Sequence, residues 1–165
     1  MSYAKLNELI IDPKVRGLCV KPYPNHKKGC PNYAKKKGCP PMCPVISETL
    51  DLSQPVYAIW NTFPIGEHVE RMKAKHPDWT ERQLYCCLYW QPKARKQLRQ
   101  LVDEFCFAMR QSFTIVACPE AQGVNLTETM KGVGVELEWP PRINARQIVI
   151  AGKQSLRQKE ADNEG

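Results

Sequence analysis

Residues 19–44 restrict what this chain can fold into more than any other stretch. They hold Pro22, Pro24, Pro31, Pro40, Pro41 and Pro44, the glycines Gly29 and Gly38, and almost no aliphatic side chains. Proline lacks the amide donor and fixes φ, so the stretch can be neither a helix nor a central strand. It has too little apolar surface for a core of its own. A loop this long inside a compact chain is either functional or disordered. Cys19, Cys30, Cys39 and Cys43 fall within it, and they favour function: a bound ligand would stand in for the missing core.

Those four cysteines are separated by ten, eight and three residues, and Cys30, Cys39, Cys43 and the distant Cys118 are each followed by proline. Glycine before a cysteine allows a tight turn, and proline after it keeps regular structure away from the sulfur. Backbone amides are then left to face the thiolates, an arrangement that tunes iron–sulfur clusters. Paired Cys-x-x-Cys knuckles, the usual zinc pattern, are absent, and so is the compact ferredoxin run. The spacing therefore points to an iron–sulfur site first, a four-iron four-sulfur cluster in particular, with zinc as the alternative. Cys118 ends a predicted strand, where open α/β sheets place ligands, and would staple the loop to the sheet. Cys86, Cys87 and Cys106 lie among Leu84, Tyr85, Leu88, Phe105 and Phe107 and read as core packing. His26 reads equally as a ligand and as a solvated loop residue.

The compartment decides how eight cysteines are read. No apolar run reaches the length of a membrane span, and the first residues lack the layout of a secretory signal. A cytoplasmic, reducing setting is expected, in which thiols serve metals or catalysis rather than a disulfide framework.

The 165 residues suit a single domain: the metal-binding loop 19–44, an α/β body 45–152 and a flexible tail 153–165. A short helix is expected around Leu6, Leu9 and Ile10, ended by Asp12-Pro13. Residues 45–51 read as another short helix, 55–60 as a buried strand, and 68–75 as a helix. Thr80 and Gln83 form a capping box. The helix that follows carries Leu84, Cys87, Leu88, Leu98, Leu101, Phe105 and Met109 as an amphipathic stripe, divided or kinked at Pro92. Strands are expected at 113–117, at the edge over 135–138, and at 147–151, with a helix capped by Asn125 before Gly132. The fold class is α/β (α+β): a small mixed sheet with packed helices.

Three segments carry a resemblance. Cys19-Val-Lys-Pro-Tyr23 with Gly29-Cys-Pro-Asn-Tyr33, then Gly38-Cys-Pro-Pro41, and Cys118-Pro-Glu-Ala-Gln-Gly-Val-Asn125 with Thr127-Glu-Thr129, resemble an uncharacterised group of cysteine-rich prokaryotic proteins described as predicted metal-binding proteins. The resemblance covers the N-terminal third and the stretch 118–129. It implies Cys19, Cys30, Cys39 and Cys118 as the ligand set, with Cys43 outside the shared core as a spare thiol or alternate ligand. It brings no established activity.

A net charge of +7 favours polyanions: nucleic acid, nucleotides or an acidic protein partner. Residues 79–99 interleave Trp79, Tyr85, Tyr89 and Trp90 with Arg82, Lys93, Arg95, Lys96 and Arg99, a composition that can stack bases and neutralise phosphates. The same composition also describes an ordinary helix with a wetted basic face. Lys27, Lys28 and Lys35 to Lys37 surround the cysteine loop with positive charge. The segment Glu136 to Arg142, with Trp139, is expected as a rim of the same site. Two functional classes follow. In one, an iron–sulfur protein works in redox or on a small molecule or nucleobase, with Glu120, Glu128 or His26 as acid–base groups beside an open iron. In the other, zinc only ties together a basic binding module. No catalytic residue can be assigned, because no nucleophile–base pair or paired carboxylates stand at a defined spacing.

Overall fold

The computed structural model describes residues 2–22 and 26–163. Tyr23, Pro24 and Asn25, which belong to the first resembling segment and the proline-rich loop, lie outside the described residues. Four strands, β1 (Tyr3–Lys5), β2 (Tyr57–Trp60), β3 (Thr114–Val116) and β4 (Ile148–Gly152), form one sheet in the order β1-β2-β4-β3. Every pairing is antiparallel, with Ala58 opposite Ile150, Trp60 opposite Ile148 and Val116 opposite Ile150. Among the described residues six α-helices accompany the sheet: α1 (Ile46–Thr49), α2 (Ile65–Lys75), α3 (Glu81–Leu84), α4 (Cys87–Met109), α5 (Leu126–Lys131) and α6 (Leu156–Asn163). The small α/β fold is as the sequence implies. No helix is long and apolar enough to cross a membrane among the described residues.

Alternation along the strands divides the core. Side chains of successive strand residues point to opposite faces. Ala58, Trp60, Val116, Ile148 and Ile150 face one layer, shared with Leu6, Ile46, Leu50, Val124, Leu126 and Met130. Ile59, Val149 and Ala151 face the other, where α4 lays down Leu98, Leu101, Val102, Phe105 and Cys106. Central β4 is covered on both sides, which is why all five of its residues are buried. Buried Asn61 stitches α4 to the sheet: its side-chain amide donates to the Ala94 carbonyl at 2.7 Å, and its Oδ1 accepts from the Gln147 amide at 3.0 Å.

Several expectations are corrected. The N-terminal segment is not a helix. Tyr3–Lys5 pairs with β2, and a 3₁₀ turn over Pro13–Val20 follows, capped by Asp12. A helix this short is marginal by itself, whereas the open edge of β2 supplies backbone partners at once. Residues 135–138 form no strand; Val135 and Leu137 pack on the core beside α5 instead. Pro92 does not divide its helix: it lies early in α4, and the break falls before it, at Tyr85 and Cys86. Residues 156–163 of the tail are helical, tied back by Ser155, whose hydroxyl donates to the Glu48 carbonyl. Cys106 packs in the core as expected, but Cys87 is exposed.

A buried histidine marks the seam between α2 and α4. His68 lies in contact with Phe63, ring centroids 5.8 Å apart, and its Nδ1 accepts from the Arg71 guanidinium at 3.4 Å. That bond leaves the ring proton on Nε2, which is buried without a hydrogen-bond partner among the described residues. Burial, then the positive charges of Arg71 and Lys93, holds the imidazole below its ordinary value of 6.5. Below about pH 6.5 the unfolded chain therefore takes up this proton more readily than the folded one, so stability falls as pH drops and is unaffected above about pH 7. Thermal melts at graded pH should show this loss in the native protein and a flatter profile in His68→Gln. Equal profiles would refute the assignment.

Candidate metal centre

Backbone pairing brings the distant cysteine segments together. The amide of Asp12 donates to the Gly123 carbonyl at 2.8 Å, and that of Asn125 to the Ile10 carbonyl at 2.8 Å. The Ile10 amide donates to the buried Thr129 hydroxyl at 3.1 Å. These bonds lay the 3₁₀ turn Pro13–Val20, which carries Cys19, beside a second one, Pro119–Gln122, which follows Cys118. Proline opens both turns, as suits the first helical position. Asn125 then caps α5, its Oδ1 accepting from the Glu128 amide at 3.2 Å.

The proline-rich loop folds onto this pair. The Cys30 amide donates to the Cys19 carbonyl at 2.7 Å, and Gly29, at φ +79°, makes the close approach that this bond requires. Between the Gly-Cys-Pro triplets, the Ala34 amide donates to the Pro40 carbonyl at 2.9 Å. The Cys39 amide donates to the Lys36 carbonyl, and the Cys43 amide to the Cys39 carbonyl. Cys43 then plugs into the second turn: it is buried, and its thiol donates to the Ala121 carbonyl at 3.0 Å. Loop and sheet are joined at that point.

Five thiols thus share one neighbourhood. Burial raises the Cys19 thiol above its ordinary value, and charge on Cys30, Cys39, Glu120 and Cys43 raises it further. Cys118 is exposed as a residue, yet its crowded thiol is raised by desolvation, then by Cys39 and Glu120, and to a lesser degree by Cys43, while Arg95 opposes the rise. Glu120 is itself raised by burial. Two cations attend the group. Arg16 donates from Nη2 to the Cys43 carbonyl at 2.7 Å and stands 3.8 Å from its sulfur. Arg95, held by a 2.9 Å bond to Gln91, extends from α4 toward Cys118. No family model, curated protein or solved structure matches the chain.

The donor set is chemically suited to soft metals, since thiolates favour iron–sulfur clusters and zinc over hard cations. Among the described residues, however, no three or more His, Cys, Asp or Glu side chains close around one point as a single-ion site. The other residues singled out by sequence are dispersed. Glu128 pairs with Lys131 on the exposed side of α5. His26 lies in the loop, its carbonyl accepting from the Gly29 amide at 3.1 Å. Trp139 donates to Thr127, and Arg142 pairs with Glu81 over the Tyr85 ring, so the segment expected as a rim binds α5 and α3. Lys93, Lys96 and Arg99 stand exposed along α4 and Arg82 on α3. Nothing in the sequence distinguishes Arg16 from the other basic residues, because its role arises from a contact 27 positions away.

Proposed function

We propose that this chain is a metal-binding protein whose Cys19, Cys30, Cys39 and Cys118 hold a four-iron four-sulfur cluster used in redox exchange. The observation that carries the reading is that the proline-rich loop and the Cys118 turn meet, joined by the Cys43–Ala121 bond, with the Cys19 and Cys118 thiols raised there by burial and then by neighbouring sulfur charge. Ionising thiols crowded in this way is costly, and a metal centre reverses that cost because its charge stabilises the thiolates. Cys43 is left out of the ligand set because its thiol proton is engaged with Ala121, a bond that a coordinated thiolate could not make. A single zinc ion draws its thiolates to within about 4 Å of one another. A cluster holds them farther apart, at its corners, and the wide spacing of the four cysteines along the chain favours it. Exposure of Cys118 sets one edge of the centre at the surface, where an electron partner or a small substrate can reach it. Arg16 and Arg95 offset the negative charge of the thiolates, and Glu120 is a carboxyl whose charge reaches both Cys19 and Cys118. Kinship with the cysteine-rich metal-binding group and residence in a reducing cytoplasm belong to the same proposal.

The test is protein purified without oxygen. Brown protein with thiolate-to-iron absorption, and with iron and acid-labile sulfide in equal amounts, is the expected result. Colourless protein carrying one zinc ion per chain would instead make the centre a structural staple, and protein with no bound metal would remove the proposal altogether.

A further inference from the structure

A second feature lies away from the thiols, on the seam between α2, α3 and α4. His76, at the end of α2, stacks on Trp79 with ring centroids 4.1 Å apart and planes 8° from parallel. Trp79 stacks in turn on Tyr89, in the first turn of α4, at 5.0 Å and 26°. Three rings from three positions form one ladder. Its last ring, Tyr89, is 53% exposed, so a large part of it is left to solvent. Core packing does not explain an open stack of this kind: the buried Trp90 beside it is stacked on Phe63 instead.

Charge continues the feature along α4. Lys93 and Lys96 follow Tyr89 at steps of four and three, which puts all three on one face of the helix. Both lysines are exposed. From Cys87 to Val102 the helix carries Lys93, Arg95, Lys96 and Arg99 and no acidic residue. At the turn before it, Asp78 and Glu81 flank the ladder, but Glu81 is neutralised by Arg142. Among the described residues none of Arg82, Lys93, Lys96 and Arg99 makes an ion pair, so their charge remains available to a ligand.

We infer that the ladder His76–Trp79–Tyr89 and the stripe Lys93–Lys96 form a binding surface for single-stranded nucleic acid. A base stacks on the open side of Tyr89, the ladder behind it holds the ring rigid, and the lysines one and two turns along take the phosphates. Aromatic platforms joined to a cationic track are how sequence-tolerant single-strand binding is built. Charge alone would suit any polyanion. The stacked rings select the strand whose bases are free, since a duplex keeps its faces occupied. Arg95 is set apart from this track, because its charge reaches Cys118. The surface therefore stands independently of whether the thiols hold a metal.

The experiment follows binding by fluorescence anisotropy of a labelled single strand of about a dozen nucleotides, its matched duplex, and polyglutamate as competitor. The native protein should prefer the single strand, and Trp79 emission should change on binding. Tyr89→Ala should weaken binding about tenfold without altering the salt dependence, and Tyr89→Phe should restore it. Changing Lys93 and Lys96 together to glutamine should lower the salt slope by about 1.4. Tyr89 is exposed, so none of these changes threatens the fold, and circular dichroism would verify this. Equal affinity for duplex, unchanged binding by Tyr89→Ala, displacement by polyglutamate as readily as by the strand itself, or no binding at low salt would each overturn the inference.

Discussion

Cys30→Ala protein, purified without oxygen, is expected to emerge colourless and to hold neither iron nor sulfide, while Cys43→Ser protein remains brown. The contrast follows from what each sulfur does in the fold. Cys30 is fixed by its amide, which bonds the Cys19 carbonyl at 2.7 Å, and its side chain makes no internal hydrogen bond among the described residues. Loss of that sulfur removes a corner of the proposed centre and nothing else. Cys43 is buried and bonded to Ala121, so serine preserves a donor at the same place. Because metal binding to a loop with no core of its own is also its folding energy, Cys30→Ala should further leave residues 19–44 open to protease. The body should melt near the native temperature, because its two core layers hold neither Cys30 nor its neighbours. The reverse pattern, with metal lost on changing Cys43 and retained on changing Cys30, would reassign the ligand set.

Gly29→Ala should deplete the metal almost as severely, although none of the proposed ligands is touched. A Cβ at Gly29 would lie 2.6 Å from the Cys19 carbonyl oxygen and 2.9 Å from the Val20 carbonyl carbon. Both are backbone atoms that cannot swing aside. The φ of +79° adds roughly 1–3 kcal/mol of strain for any residue with a side chain. Relief requires separating Cys30 from Cys19, which pulls two of the proposed ligands apart. Gly38→Ala is the control. It stands in the matching Gly-Cys-Pro triplet, but a Cβ there meets nothing within 4 Å, so metal content should be unchanged. Iron assays on the two variants decide the matter, and equal behaviour would mean that the close approach at Gly29 does not govern the centre.

These two glycines show where sequence reading reaches its limit. Both precede Cys-Pro, and both suggest a tight turn, yet only one faces a backbone at contact distance. The difference depends on which carbonyl arrives from ten residues earlier. Local signals fared better. The Thr80–Gln83 capping box forms with both of its reciprocal bonds, and Asn125 caps α5, because each is decided within one turn of chain. The apolar runs at 57–60, 114–116 and 148–152 became strands because burial on a sheet face rewards that composition wherever the sheet is. The first residues went the other way. Leu6, Leu9 and Ile10 suit a helix, but pairing with β2 satisfied the backbone and still buried Leu6.

The aromatic ladder was only half visible. Trp79 and Tyr89 stand out in the sequence among interleaved cations, but His76 does not, since a stack across a helix break leaves no periodic trace. The sequence by itself determined that residues 19–44 cannot make regular structure and that thiols are concentrated there, because proline chemistry and cysteine count are local properties. Tertiary structure alone decided that Arg16 joins those thiols, that Cys43 turns inward, and that Arg95 parts from Lys93 and Lys96. Each of these rests on contacts between segments tens of residues apart, and such contacts are chosen by how whole faces pack rather than by any residue's own preference.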